Sequence, residues 1–171
     1  TALTGGTLNL GGTFPTISLG QLNAAAGTVI ITNGTLDNTA ATFTLTATTG
    51  NVQLGSTGRI LNGTVTSAGA QLAMVTGVSA TLDGVTLNTD LSIPNSTLVV
   101  NNGLTLQNGH KITLANVGGN SILSFQGVSQ TLGGTGEVVF GGTTANSFFD
   151  VQLTSGQTLS IGSGVQVHSG V

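Results

Sequence analysis

Asn95-Ser-Thr-Leu98, Asn120-Ser-Ile-Leu123 and Asn146-Ser-Phe-Phe149 are one motif written three times, 25 and then 26 residues apart. Each copy is followed at a similar distance by Thr-Leu, at Thr105-Leu106, Thr131-Leu132 and Thr158-Leu159. A period of this length with β-type residues inside each unit marks stacked coils, not a layered globular domain. Working outward, the leucine of each turn-flanking motif serves as a marker: Leu36, Leu61, Leu82, Leu106, Leu132 and Leu159. Their spacings of 25, 21, 24, 26 and 27 predict about seven coils, the first partial. Gly6-Thr-Leu-Asn-Leu10 and Gly27-Thr-Val-Ile-Ile31 are the clearest early strands.

Residues two apart in a strand face the same side. The markers align the pair Ile112 and Leu114 with Val138 and Phe140, and those with Val165 and Val167. They also place Val100, Phe125 and Val151 in a second column and Leu98, Leu123 and Phe149 in a third. Asn33-Gly34, Asn62-Gly63, Asp83-Gly84, Asn102-Gly103 and Asn108-Gly109 tolerate the positive φ that tight turns need. Such dipeptides also suit antiparallel hairpins. Repetition of side-chain identity, and not only of pattern, favours a parallel solenoid over a Greek-key sandwich. The expected fold is therefore all-β: one domain over residues 1–171, a single-stranded parallel β-helix. Asn95, Asn120 and Asn146 are expected to stack as a ladder at successive turns.

Composition supports this and narrows function. Charged residues are 4% of the chain, while 30 threonines and 28 glycines punctuate short aliphatic runs. Disordered chains are charged and poor in branched aliphatics, so composition argues against disorder. Lys111 and Arg59 against five acids cannot neutralise a run of phosphates, which argues against a nucleic-acid partner. No apolar run is long enough to cross a membrane as a helix. The absence of cysteine removes disulfide and thiolate chemistry. A cysteine-free, low-charge, Thr/Asn/Gly-rich surface suits bacterial export, so an extracellular or cell-surface location is expected. Starting at Thr1 without a leader, the chain reads as a segment or processed product of a longer exported protein.

Because solenoids also cleave carbohydrate, each carboxylate is a candidate catalytic group. Asp37 and Asp83 follow marker leucines two coils apart, with Asn62 between them. Roughly 10 Å would separate them, beyond the separation of about 6.5–9.5 Å that inverting glycosidases use. A recurrent turn position whose side chains bond nearby amides explains all three. Glu137, Asp90 and Asp150 fall at other offsets, and Lys111 with Glu137 is expected to form an exposed ion pair. His110 and His168 lie at different offsets and predict no shared metal site. Gly133-Gly-Thr-Gly136 lacks the Lys-Ser/Thr of a phosphate loop. Asn33-Gly-Thr35, Asn62-Gly-Thr64 and Asn95-Ser-Thr97 match the glycosylation triplet through Asn/Thr bias alone. No catalytic, cofactor or metal residue is assigned.

Leu61-Asn-Gly-Thr-Val65, Thr81-Leu-Asp-Gly-Val-Thr-Leu-Asn88 and Thr131-Leu-Gly-Gly-Thr-Gly136 resemble the β-strand repeats of very large bacterial surface proteins, adhesin-like and autotransporter-passenger-like. The resemblance extends over nearly the whole chain and is clearest after Leu61. It implies a right-handed β-helix, export, and a stalk or adhesive role, and it carries over no catalytic residue. The expected function is a structural extracellular module, not an enzyme. Its partners would be neighbouring copies or flanking repeat modules, met through ends whose sequences, Thr1–Leu10 and Ser160–Val171, lack a charged guard. A carbohydrate-binding or carbohydrate-cleaving β-helix is the alternative, and the absence of Trp and Tyr counts against sugar stacking. A weaker alternative is ice binding, suggested by Thr44-Leu-Thr46-Ala-Thr48 and Thr64-Val-Thr66, which the markers do not place at one offset.

Overall fold

A computed structural model describes residues 5–20, 22–25, 27–144 and 146–170. The chain winds as a parallel β-solenoid of about seven turns. β1 (Thr7–Pro15) opens the first coil, and β2 (Thr28–Asp37) with β3 (Thr42–Thr46) forms the second. β4 (Val52–Leu54), β5 (Arg59–Leu61) and β6 (Thr64–Ala68) form the third. β7 (Leu72–Met74) with β8 (Ser79–Asn88), then β9 (Leu91–Ile93) with β10 (Thr97–Leu106), make the next two. β11 (Lys111–Leu114), β12 (Ser121–Gly127) and β13 (Gln130–Gly134) follow. β14 (Gly136–Phe140), β15 (Ser147–Leu153) and β16 (Leu159–Ile161) complete the seventh, and β17 (Val165–Ser169) begins another. The one helical segment among the described residues is a 3-10 turn at Thr16–Leu19.

Every strand pair is parallel among the described residues; the one antiparallel contact is an isolated bridge, Thr46 to Gly69. Three faces result. The first carries β4, β7, β9, β11, β14 and β17, the second β5, β12 and β15, and the third β3, β6, β13 and β16. β2, β8 and β10 run through a bend and serve more than one face, which is possible because the bend residues Asn33, Gly84, Asn102 and Gly103 take positive φ. Asn62 and Asn108 do the same, as their Asn-Gly dipeptides predict, and so does Asn95, which no such dipeptide marked.

Alternation within each strand sends one set of side chains inward. Leu36, Ile60, Leu82, Val100 and Phe125 form one continuous buried column. Phe43, Val65, Leu87 and Leu106 form another, and Leu91, Ile112 and Val138 a third. Burying each of these side chains stabilises the fold by about 1.5–3 kcal/mol. Phe125 stacks on Phe149 in the next coil, with centroids 5.3 Å apart.

The columns Val100/Phe125/Val151 and Leu98/Leu123/Phe149 stand as the sequence predicts. Other alignments need correction. Ile60, not Leu61, lies between Leu36 and Leu82, so Leu61 occupies the position of Asp37 and Asp83. Leu82 meets Val100 and not Leu106, and Leu132 meets Ile161 while Leu159 meets Gln130. Consequently Val138 and Phe140 pair with Val167 and Ser169, two residues later than expected. The cause is unequal coils. Leu82 and Val100 are 18 residues apart, whereas Leu132 and Ile161 are 29 apart, and a marker chosen at a turn absorbs those differences wrongly.

Candidate functional surfaces

The inner columns reach the last turn uncovered, one on each face. Val151 follows Phe125, Ile161 follows Leu132 and Val167 follows Val138. The three earlier residues are fully buried, while Val151, Ile161 and Val167 are 49%, 49% and 41% exposed. The end of the described coil stack is thus an apolar cross-section rimmed by the open backbone edges of β15, β16 and β17. Nothing in Leu159–Gly170 places Lys or Pro on that edge, as the sequence anticipates. At the opposite end Leu8, Leu10 and Phe14 are only half-buried against the core, and Thr16 Oγ1 ties the 3-10 turn to Asn38 Oδ1 at 2.7 Å. Thr1–Thr4 and Val171 lie outside the described residues.

The asparagine ladder is corrected by the structure. Asn95, Asn120 and Asn146 do fall in register, but their amides do not bond one another. Asn95 turns into the following coil, where Oδ1 accepts from Val117 N at 2.7 Å and Nδ2 donates to Val117 O at 3.0 Å. Asn120 and Asn146 are exposed. The repeating element is the serine beside each one. Ser96 Oγ donates to Val75 O at 2.9 Å and Ser121 Oγ to Ile93 O at 2.6 Å, while Ser147 Oγ lies 3.4 Å from Leu114 O. Two buried asparagines that the motif does not contain bridge coils as well. Asn38 donates to Thr64 O at 2.9 Å. Asn116 donates to Gly119 O and Thr144 O and accepts from Ser147 Oγ at 3.0 Å. A lone Asn carries no periodic signal, so only burial could reveal them.

Each carboxylate is held by a neighbour. Asp37 Oδ1 accepts from Thr39 N at 3.0 Å, and its hydrogen bonds to Thr39 hold the carboxyl below its usual range. Asp83, nearly buried, meets Arg59 at 2.5 Å and accepts from Asn102 Nδ2 at 2.7 Å. Asp90 faces His110 Nδ1 at 2.9 Å, and its Oδ1 also accepts from Lys111 N at 3.0 Å. Asp150 Oδ2 accepts from Gln152 Nε2 at 2.7 Å and from Ser124 Oγ at 3.2 Å. Lys111 and Glu137 are cross-strand partners, as expected, yet they form no ion pair among the described residues; Glu137 lies 3.5 Å from His168 Nε2 instead. No cluster of three or more His, Asp or Glu able to hold a metal occurs among the described residues.

The threonines are more ordered than the marker alignment suggests. Thr42, Thr64, Thr86 and Thr105 stand in register on four successive coils of the third face, with Thr44 beside Thr66 in the next rank. The rank then passes to Asn88, whose Nδ2 donates to Thr66 Oγ1 at 3.0 Å. Where coil length jumps, a cavity of about 330 Å³ opens beside Thr86, Asn102, Thr105 and Gln130. Gln130 already bonds Gly103 N and Gln126 O across it. A second cavity, of about 360 Å³, lies on the outer face of β12 and β15.

Searches against family models, curated proteins and solved structures match nothing. The class that the fold defines is a parallel β-solenoid.

Proposed function

We propose that the chain is a structural module of an exported bacterial surface stalk, filament or adhesin. The observation supporting this is the set of three apolar columns that run through the coils and stay uncovered at Val151, Ile161 and Val167. Another coil of the same kind, from a flanking repeat module or a neighbouring copy, would extend all three columns and pair the open edge. The cysteine-free, nearly uncharged, threonine-rich composition fits an extracellular location. In this reading the chain performs no catalytic step and needs no cofactor. Electron microscopy of the purified chain tests it. Rods of uniform width, single or joined end to end, are the expected result; compact round particles would overturn it.

A second reading is favoured by one observation, the four-coil threonine column. Hydroxyls repeating every coil, about 4.8 Å, could template an ordered solvent layer as an ice-binding face does. Replacing Thr64 and Thr86 by Lys would abolish any ice-shaping activity under this reading. Wild-type chain that leaves growing ice crystals unshaped would dismiss it.

A further inference from the structure

We propose that the outer cavity on β12 and β15 is a binding subsite for one neutral pyranose ring of a glycan. Ile122 pairs with Phe148 and Ser124 with Asp150, so all four side chains point outward from adjacent coils. Phe148 is 45% exposed although every other strand position nearby that faces solvent is polar or aliphatic, and with Ile122 it makes a small apolar platform. Asp150 stands two residues along the same strand, about 7 Å away. Ser124 and Gln152 both bond its Oδ2, which orients the carboxylate and leaves Oδ1 without a hydrogen bond among the described residues. Asn120, exposed at the other side of the same cavity, supplies an amide that can both donate and accept.

This combination selects a ligand that is apolar on one face and hydroxylated at its rim. A purely apolar occupant would desolvate Asp150 without compensation, at a penalty that grows with burial. A pyranose lays its C–H face on the Phe148 ring and donates two hydroxyls, to Asp150 Oδ1 and to Asn120. The carboxylate disfavours acidic sugars, since a second negative charge would repel it. The cavity of about 360 Å³ lies at the small end of ligand sites and has room for one ring. Because Phe148 points outward from its sheet, a further coil stacked on β15 would flank the platform without covering it.

The test is an amide NMR titration of the whole chain with methyl glycosides of glucose, galactose, mannose and N-acetylglucosamine. Saturable shifts are expected for at least one glycoside, confined to amides around Asn120, Ile122, Phe148 and Asp150, with millimolar affinity. Phe148→Ala should remove the saturation, and Asp150→Asn should weaken binding by about tenfold, or 1.4 kcal/mol. Circular dichroism of both variants should match the wild type, since neither side chain belongs to an inner column. No saturable shift at these amides with any of the four glycosides overturns the subsite. Binding that either variant leaves unchanged overturns it equally.

Discussion

Ser121 Oγ, 2.6 Å from Ile93 O and also accepting from Asn95 N at 3.0 Å, ties the turn at Ile93–Asn95 to the next coil. Ser121→Ala should therefore cost about 1–3 kcal/mol in urea denaturation. Asn120→Ala, on an exposed side chain, should change stability by no more than about 0.5 kcal/mol. Equal effects from the two substitutions would contradict the serine ladder. Asp90 gives a pH signature. Burial pushes its carboxyl up, but the Lys111 amide and the His110 ring outweigh that and hold it below the usual value. A lowered folded value means that its contribution is fully present above about pH 4 and is lost as pH falls through the folded value. The stability difference between wild type and Asp90→Asn should thus be flat at neutral pH and shrink only below about pH 4. Its size should stay under about 1 kcal/mol, because the carboxylate is more than half exposed.

At the scale of the strand, Phe125 is the inner residue whose loss should be most damaging. It is fully buried, sits between Val100 and Val151, and stacks on Phe149. Phe125→Ala should cost about 3–5 kcal/mol by calorimetry or denaturant, well above the loss for any outward position of the same strand. Gly134 makes the complementary point. Its φ is +91°, and a Cβ there would overlap the carbonyl of Leu106 on the preceding coil. Gly134→Ala should destabilise by more than the usual conformational strain alone, because β10 and β13 would have to separate locally. The columns through β12 and β15 were legible from alternation within Asn-Ser-x-x motifs of nearly constant spacing. The register through Leu61, Leu106 and Leu159 was not. Turns of different length shift a leucine by one or two positions without changing the composition around it, and a one-residue slip reverses which side chain faces inward.

For the whole molecule, the uncovered columns predict association. Head-to-tail stacking through them would be heterologous and would extend into filaments unless the rotation closed a ring. Replacing Val151, Ile161 and Val167 by Lys should leave the circular dichroism spectrum unchanged, since each is already 41–49% exposed, and should lower the sedimentation coefficient if copies associate there. Wild-type chain that sediments as a monomer at high concentration would assign the covering role to flanking modules. Taken alone, the sequence pointed to the fold class, because side-chain identity, and not only pattern, recurs about every 25 residues, which favours a stack of parallel coils over antiparallel hairpins. It also determined which inner residues stack wherever coil length stays constant. Only the tertiary structure decided the rest. The serine ladder, the buried Asn38 and Asn116, the His110–Asp90 and His168–Glu137 pairs, the four-coil threonine column and the Phe148 platform all join residues one coil apart. Which residues meet across that step depends on the length of every turn between them, and turn length is set by backbone closure in three dimensions, not by the local pattern of side chains.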